Sequence, residues 1–438
     1  MIPLKNRLYS LEALKQAENA QVTVSGWVKL SRVVGGKLAF ITLRDREGSL
    51  QLTLKADVTK GFDALKDVTP ESVVSAHGKM VKGKQKSGDM ELLVEEFEVV
   101  SIAATPLPID MTGTAPTALD KRLDHRFMDL RNPEVAAIFK IRSQINASIR
   151  DYLLKNNFIE MQTPKIAGAG AEGGSTVFKF KYYEKEAFLS QSQQFYKQFM
   201  MAAGFDRIFE IGPSFRAEKS HTKRHLAEFV QLDFEMAFID SEEDVMKMLE
   251  GLLVYVTTDV AKKCSTELEI LKKHITVPKH PFPRIPHAEC IKMLQSAGSK
   301  IKAGEDIGSE DERVLGKVVK EKMGADAYFI TQFPWDIRAF YTMKKENGLS
   351  TGFDLEFQGL EIVSGAQREH RFDHLVQNIK DKGLDPKDLE FYTWPFKHGM
   401  CNHGGFGLGI DRLTKELLQL DEVREAVLFP RTPERVLP

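Results

Sequence analysis

The sequence predicts an α+β protein in which a small N-terminal β-barrel precedes a larger domain, an antiparallel sheet flanked by helices. Three observations predict it. Five short strand patterns crowd into residues 21–102, strand-rich and helix-rich stretches later in the chain occupy separate runs, and no internal repeat or low-complexity tract interrupts them. Regularly alternating strands and helices would instead indicate a doubly wound parallel fold.

The barrel comes first. VTVSGWVKLSRV, KLAFITLRDREG, SLQLTLKA, SVVSAHGKMVKG and DMELLVEEFEVVSI alternate apolar and polar residues, with turns such as Gly35-Gly36 and Glu47-Gly48 between them. Five strands in so short a span suggest a closed oligonucleotide/oligosaccharide-binding (OB) fold, whose strand surface and loops hold single-stranded nucleic acid. The proline-bearing stretch AATPLPIDMTGTAPT then reads as a linker. The expected division is a barrel domain over 1–104, a linker or hinge over 105–131 and the larger domain over 132–438.

Asn132-Pro133 supplies an N-cap and a first helical position, and Ile138, Ile141, Ile145, Ile149 and Leu153 recur at helical spacing. FIEMQTPKI reads as a strand broken by Pro164. Strands are expected to dominate residues 188–240 and 327–364, and helices the span 241–322. From His403 to Leu420 a glycine-rich strand runs into a helix with apolar Leu413, Leu417 and Leu418.

Bulk composition bounds the function. The chain has 438 residues, 42% hydrophobic and 28% charged, which suits about two or three globular domains with sizeable cores. A net charge of −1 provides no global field toward nucleic acid, so RNA binding must rest on local patches and shape. Cys264, Cys290 and Cys401 stand far apart with no CxxC pair, which argues against a disulfide scaffold or structural zinc and fits a reducing compartment. The opening MIPLKNRLYSLEALKQ lacks the long apolar core of a secretory leader, and no apolar run is long enough to span a bilayer. The expectation is a cytoplasmic protein with no membrane partner.

Four segments could carry chemistry. FRAEKSHTKRHLAEF places Arg216, Arg224 and His225 in a polar loop between strands, ending on Phe229. Arginine's planar fork matches phosphate oxygens and an aromatic ring can stack on a purine, although the same residues also suit a solvated hairpin with surface ion pairs. GGFGLGIDRL has alternating glycines that let a ligand approach the backbone, followed by Arg412. It is neither a Walker loop nor a Rossmann fingerprint, and tight strand–helix packing explains it equally well. In FDLEFQGLEIVSGAQREHR, Asp354 and Glu361 lie on adjacent strands around Gly359, a pair that can hold Mg²⁺ or simply face solvent. SQSQQFYKQ carries one cation, Lys197, among amides and hydroxyls, which could receive a carboxylate or point to solvent.

Together and in this order, these segments resemble a class II (subclass b) aminoacyl-tRNA synthetase, of the aspartyl/asparaginyl/lysyl group with an N-terminal OB domain. The resemblance covers essentially the whole chain. The helix before Phe158 and the strand ending at Thr163-Pro164 resemble motif 1, FRAE…RHLAEF motif 2, and GGFGLGIDR motif 3. The compact N-terminal domain and the ending LFPRTPERVLP resemble the archaeal/eukaryotic branch of the aspartyl enzymes, with Thr432 where an aspartate is common.

The resemblance implies a role for each residue. Arg216 contacts the α-phosphate and the substrate carboxylate, and Arg216 and Arg412 are the catalytic pair. Glu218 meets the adenine edge and Phe229 its face, while Arg224, His225 and Arg412 hold the outer phosphates, with Leu226, Glu361 and Gly409 completing the ATP site. Asp354, Glu361 and Ser364 hold Mg²⁺, which accompanies ATP. Such chemistry depends on positioning and electrostatics, so no nucleophilic side chain or acid–base pair is expected.

QSQQFYKQ resembles the aspartyl-specific QSPQ…K, with Gln193 at the proline position. The resemblance implies that Lys197 and Arg368 pair with the substrate side-chain carboxylate and that Asp233 supports them. Ser192, Gln194 and Ser364 complete the pocket, and Glu172 takes the α-ammonium. A carboxamide would leave cationic charge unpaired, at about 1–3 kcal/mol or more, so L-aspartate is the expected substrate and asparagine the alternative.

In the barrel, Arg32, Phe40 and Gln51 match the spacing of the family's anticodon readers; without the resemblance they would be a core phenylalanine and exposed polar residues. Lys79, Lys82, Lys84 and Lys86 form a basic loop that either follows the RNA backbone or is simply solvated. Lys29, after Gly26-Trp27-Val28, matches neither strict nor relaxed members, so charging of aspartate tRNA alone or of asparagine tRNA as well stays open. The implied partners are tRNA, ATP, L-aspartate and a second copy through the motif 1 helix, and not DNA. A non-catalytic RNA-binding relative would lack the motif arginines or the OB domain, and both are present.

Overall fold

The structure is a computed structural model and describes residues 2–83, 89–113, 115–168, 177–217 and 225–437. It divides into two compact units, Met1–Pro133 and Glu134–Pro438.

In the first unit β1 (Gln21–Val34), β2 (Leu38–Arg44), β3 (Ser49–Lys55), β4 (Val73–Lys82) and β5 (Met90–Ser101) close into a barrel in the order β1-β2-β3-β5-β4. This is the OB architecture. The alternation seen in sequence becomes the inside and outside of the wall: Ala39, Ile41 and Leu43 enter the same core as Leu50, Leu52 and Leu54. The β1–β2 turn is made by Gly35 and Gly36, both at positive φ (59° and 68°), as a tight hairpin requires.

The second unit is the larger, sheet-based domain. Its strands are β6 (Ile159–Glu160), β7 (Ile166–Ala167), β8 (Lys179–Tyr182), β9 (Lys185–Leu189), β10 (Arg207–Phe215), β11 (Glu228–Ala237), β12 (Arg284–Pro286), β13 (Ala327–Thr331), β14 (Gly352–Phe357), β15 (Leu360–Gln367) and β16 (His403–Gly409). Eight form one sheet, β12-β13-β14-β15-β16-β11-β10-β6, antiparallel except at its two outer pairs, and β7-β9-β8 form a small second sheet.

One face of the large sheet is covered by the helices Pro133–Lys155 and Glu242–Lys263. Ile138, Ile141, Ile145, Ile149 and Leu153 of the first and Leu249, Leu253, Val256 and Val260 of the second share a core with Leu232, Phe234, Phe353, Leu355, Phe406 and Leu408. The second helix starts on a capping box, Ser241 accepting from the Glu243 N–H and Asp244 from the Ser241 N–H. Pro164 separates β6 from β7, as the sequence suggests.

One expectation fails locally. Within the supposedly strand-dominated span 188–240, Gln194–Ala202 is a helix. Its buried positions, Gln194, Phe195, Lys197, Gln198 and Met201, have helical spacing, but three of them are polar and hide the period from a hydrophobicity reading. Among the described residues, no helix is long and apolar enough to cross a membrane.

Candidate active site

The opposite face of the large sheet holds a cavity of about 450 Å³. Strand alternation aims the residues that line it. On β11, Leu232, Phe234 and Met236 enter the core, so Phe229, Gln231, Asp233 and Glu235 point the other way. On β16, Phe406 and Leu408 are core residues and Gly405, Gly407 and Gly409 alternate with them. Glycine is required at 405, where a Cβ would overlap the Phe234 carbonyl and the Glu235 carboxylate.

Asp354, Glu361 and Ser364 reach the cavity through an irregularity. Asp354 pairs with Ser364 across β14 and β15, but the register shifts between Leu355 and Glu356. The extra residue in β15 puts both Ile362 and Val363 into the core and turns Glu361 toward the side that Ser364 faces.

At one end of the cavity four buried charges interlock. Lys197 Nζ lies 3.1 Å from Asp233 Oδ1 and 3.4 Å from Glu235 Oε2, and donates to the Phe406 carbonyl at 3.2 Å. Arg368 holds both oxygens of Glu235, with Nε–Oε1 and Nη2–Oε2 bonds of 2.9 and 3.2 Å. Burial opposes the charge on Glu235, but Arg368 and Lys197 together keep its carboxyl below the ordinary range. For Asp233 burial wins over Lys197 and pushes the carboxyl up.

Gln193 explains its own departure from the family pattern. Its buried amide donates to the Pro213 carbonyl (3.1 Å) and accepts from Ser214 Oγ (3.3 Å) and Gln231 Nε2 (3.0 Å). Gln231 Nε2 also donates to Asp233. The glutamine thus extends the polar chain Gln193–Gln231–Asp233–Lys197, which a proline could not join. Behind Lys197, Gln198 accepts from Gln194 (2.7 Å) and from the Tyr392 hydroxyl (2.8 Å), and its amide donates to His403 Nε2 (2.8 Å). His403 Nδ1 donates to the Cys401 carbonyl at 2.8 Å, and burial pushes this imidazole down to about 4.

The other end gathers two arginines and an aromatic ring, a combination that suits an anionic, aromatic ligand. Arg216 stacks on Phe229, its Cζ 5.3 Å from the ring centroid, and its buried Nε has no hydrogen-bond partner among the described residues. Arg412 Nη1 donates to the Glu361 carbonyl oxygen at 3.2 Å and lies 3.7 Å from its carboxylate. Its helix, Ile410–Leu417, is pinned at its start by Asp411, which accepts from the Val230 N–H (2.9 Å) and from Arg142 (2.5 Å) of the Pro133–Lys155 helix. Burial, and next the neighbouring Asp354, push the Glu361 carboxyl up to about 7.

Two crowded carboxylates and a hydroxyl are an all-oxygen donor set, which fits Mg²⁺. Among the described residues no group of three His, Cys, Asp or Glu forms a metal cage, so such an ion would need phosphate oxygens to complete its shell.

Ser192, Gln194, Lys197, Asp233, Ser364 and Arg368 all line this cavity, as do Arg216, His225, Leu226, Phe229, Asp354, Glu361, Gly409 and Arg412. Glu172, Glu218 and Arg224 lie outside the described residues. Three residues of this neighbourhood were missed: Glu235, Gln231 and Arg338. The alternation QLDFE carried a signal for the first two, because it puts them on the face of Asp233. Arg338 stands in a stretch with no recognisable motif.

In the barrel unit Arg32 and Phe40 pair across β1 and β2, and Gln51 pairs with Thr42, two residues further along. Phe40 is half-buried but outside the barrel core, and Arg32 is exposed, so all three face outward. Lys79 and Lys82 are surface residues near Glu95 and Glu18, and Lys84 and Lys86 lie outside the described residues. Thr432 is held by a backbone exchange with Arg435.

Comparison with known proteins agrees with this architecture. Residues 118–433 match the family described as tRNA synthetases class II (D, K and N), and residues 22–100 match the OB-fold nucleic acid binding domain family. An aspartate–tRNA(Asp) ligase of Pyrococcus abyssi is 46% identical over 434 residues, 98% of this chain and 99% of the relative. An aspartate–tRNA(Asp/Asn) ligase of Archaeoglobus fulgidus is 45% identical over 436 residues, 99% of this chain and 100% of the relative. The crystal structure of asparaginyl-tRNA synthetase from Pyrococcus horikoshii, complexed with asparaginyl-adenylate, superposes with a TM-score of 0.90 at 33% identity, covering 99% of this chain and 100% of that one.

Proposed function

This chain belongs to the class II tRNA synthetases of the D, K and N group, and on that premise we propose that it activates L-aspartate with ATP and transfers it to tRNA. The observation that carries the choice of amino acid is the convergence of Lys197 and Arg368 at one buried end of the cavity.

The substrate side-chain carboxylate is received by Lys197 and Arg368, both oriented beforehand by Glu235. Asp233, whose carboxyl burial pushes up, stands 3.1 Å from Lys197 and supports the pair. Glu172 takes the α-ammonium. At the other end Phe229 stacks on adenine, Glu218 reads its edge, and Arg224, His225 and Arg412 hold the outer phosphates, with Leu226 and Gly409 beside them. Asp354, Glu361 and Ser364 would hold Mg²⁺, which supplies charge neutralisation on the phosphates when bound.

An oxygen of the substrate α-carboxylate attacks the α-phosphorus, the bond from phosphorus to the bridging oxygen breaks, and pyrophosphate leaves. Arg216 faces the charge that develops at phosphorus. The terminal adenosine hydroxyl of the tRNA then attacks the aspartyl carbonyl, and AMP departs. No side chain serves as a covalent nucleophile.

The remaining proposals follow the same reading. Residues 1–104 serve the anticodon through Arg32, Phe40 and Gln51, 105–131 act as a hinge, and 132–438 carry out catalysis. The protein works in the cytoplasm as a homodimer through the Pro133–Lys155 helix.

ATP–pyrophosphate exchange with aspartate against asparagine tests the reading. Exchange with aspartate alone supports it; exchange with asparagine alone makes this an asparaginyl enzyme, the reading to which the Pyrococcus horikoshii structure points. Charging of purified aspartate and asparagine tRNAs then fixes the tRNA range.

A further inference from the structure

Among the described residues that line the cavity, Arg338 is the one cation to which neither the sequence motifs nor the mechanism above gives a task. It follows the short Trp335–Ile337 turn, and its guanidinium lies in a built seat. Nη1 and Nη2 make a two-pronged bond to Asp354 (2.9 Å to Oδ2 and 2.8 Å to Oδ1), and Nη2 also reaches Ser364 Oγ at 2.8 Å. Phe333 supports it, with Cζ 4.4 Å from the ring centroid. Gly352 leaves room beside it, because a Cβ there would sit 2.8 Å from Arg338 Nε. The side chain is only 12% exposed.

Every member of the proposed metal-binding set is therefore already engaged by an arginine: Asp354 and Ser364 by Arg338, and Glu361 by Arg412. A fixed guanidinium and a divalent ion cannot both occupy one carboxylate without strong repulsion in a partly desolvated site. A bare divalent ion thus meets carboxylates whose charge is already balanced, whereas an ion arriving with a triphosphate brings the anionic charge that can hold both it and the arginine.

We propose that Arg338 stands in for the metal in the nucleotide-free protein: it keeps Asp354 and Ser364 in place and makes divalent-ion binding conditional on ATP. This rests on the reading of Asp354, Glu361 and Ser364 as the metal-binding set. Arg338 is a positioning residue in this role, since it acts through Asp354.

Mn²⁺ binding, followed by the EPR signal of the free ion, tests it in the full-length protein. The wild type is expected to bind Mn²⁺ tightly only with a non-hydrolysable ATP analogue present. Arg338→Gln is expected to bind Mn²⁺ at least about 10-fold more tightly than the wild type without nucleotide, because a repelling charge is gone. Arg338→Lys keeps the charge and is expected to keep the exclusion. Equal nucleotide-free binding by wild type and Arg338→Gln would overturn the proposal. So would an Arg338→Lys protein as permissive as Arg338→Gln, which would trace the effect to local loosening rather than charge. Asp354→Asn separates the underlying reading: if it binds Mn²⁺ with the analogue as well as the wild type does, the metal site itself is misplaced.

Discussion

Lys197 and Glu235 form an ion pair of 3.4 Å in which the lysine side chain is 5% exposed and the glutamate 0%. At this depth neither charge can be left alone, so the pair exists because Arg368 and Asp233 complete a four-membered network. Lys197→Ala leaves two carboxylates facing one arginine and, on the function proposed above, removes a partner of the substrate carboxylate. Aspartate-dependent pyrophosphate exchange is expected to fall by about 100-fold or more, roughly 3 kcal/mol. An exchange rate within a few-fold of the wild type would remove Lys197 from the pocket.

Gln193→Pro tests the buried amide chain. The substitution removes a donor to the Pro213 carbonyl and an acceptor for Ser214 and Gln231. A destabilisation of about 1–3 kcal/mol is expected in urea unfolding, together with a raised KM for aspartate as Gln231 loses its hold on Asp233. Unchanged stability would mean that the neighbouring groups repair themselves.

Gly405→Ala tests the floor of the cavity. The added methyl meets the Phe234 backbone carbonyl, which cannot move without distorting β11, and the Glu235 carboxylate. Overpacking of this kind costs about 1–3 kcal/mol. KM for aspartate should rise more than KM for ATP, since Glu235 orients Lys197 and Arg368. An equal rise in both would show general loosening of the sheet.

Phe40→Ala tests the barrel surface. Loss of a stacked base costs about 1–3 kcal/mol, so the KM for tRNA should rise by about 5-fold to 150-fold while pyrophosphate exchange stays unchanged. Because Phe40 stands outside the barrel core, the melting temperature should hardly move. A large fall in stability would make it a packing residue after all.

His403 sets a pH dependence. Burial lowers its imidazole to about 4, below the ordinary value for an unfolded chain, so the unfolded state binds the extra proton first. Its contribution to stability is therefore fully present above about pH 6.5 and is lost as pH falls toward about 4. In NMR the His403 ring should show no titration above about pH 5; a midpoint near 6.5 would mean that the Gln198–His403–Cys401 arrangement is open to water.

Much of this protein was legible in its sequence because the relevant signals are local. Alternation over five short segments specifies the barrel, helical spacing from Ile138 to Leu153 specifies the helix that covers the sheet, and compact motifs place Arg216, Phe229 and Arg412. Position 197 stood out among its neighbours with two readings open, and position 368 was nominated only by the resemblance. What the sequence could not decide is who meets whom across the fold. Arg368 and Glu235 stand 133 positions apart, and only the pairing of β11, β16 and β15 brings them together. The bulge that turns Glu361 toward Ser364 is a register shift between two strands, which neither strand encodes alone. Arg338 belongs to no motif and finds Asp354 only because folding has already removed both from water, where their attraction would be weak. Local periodicity fixes elements and their faces; tertiary structure decides which buried charges become partners, because only burial makes partnership necessary.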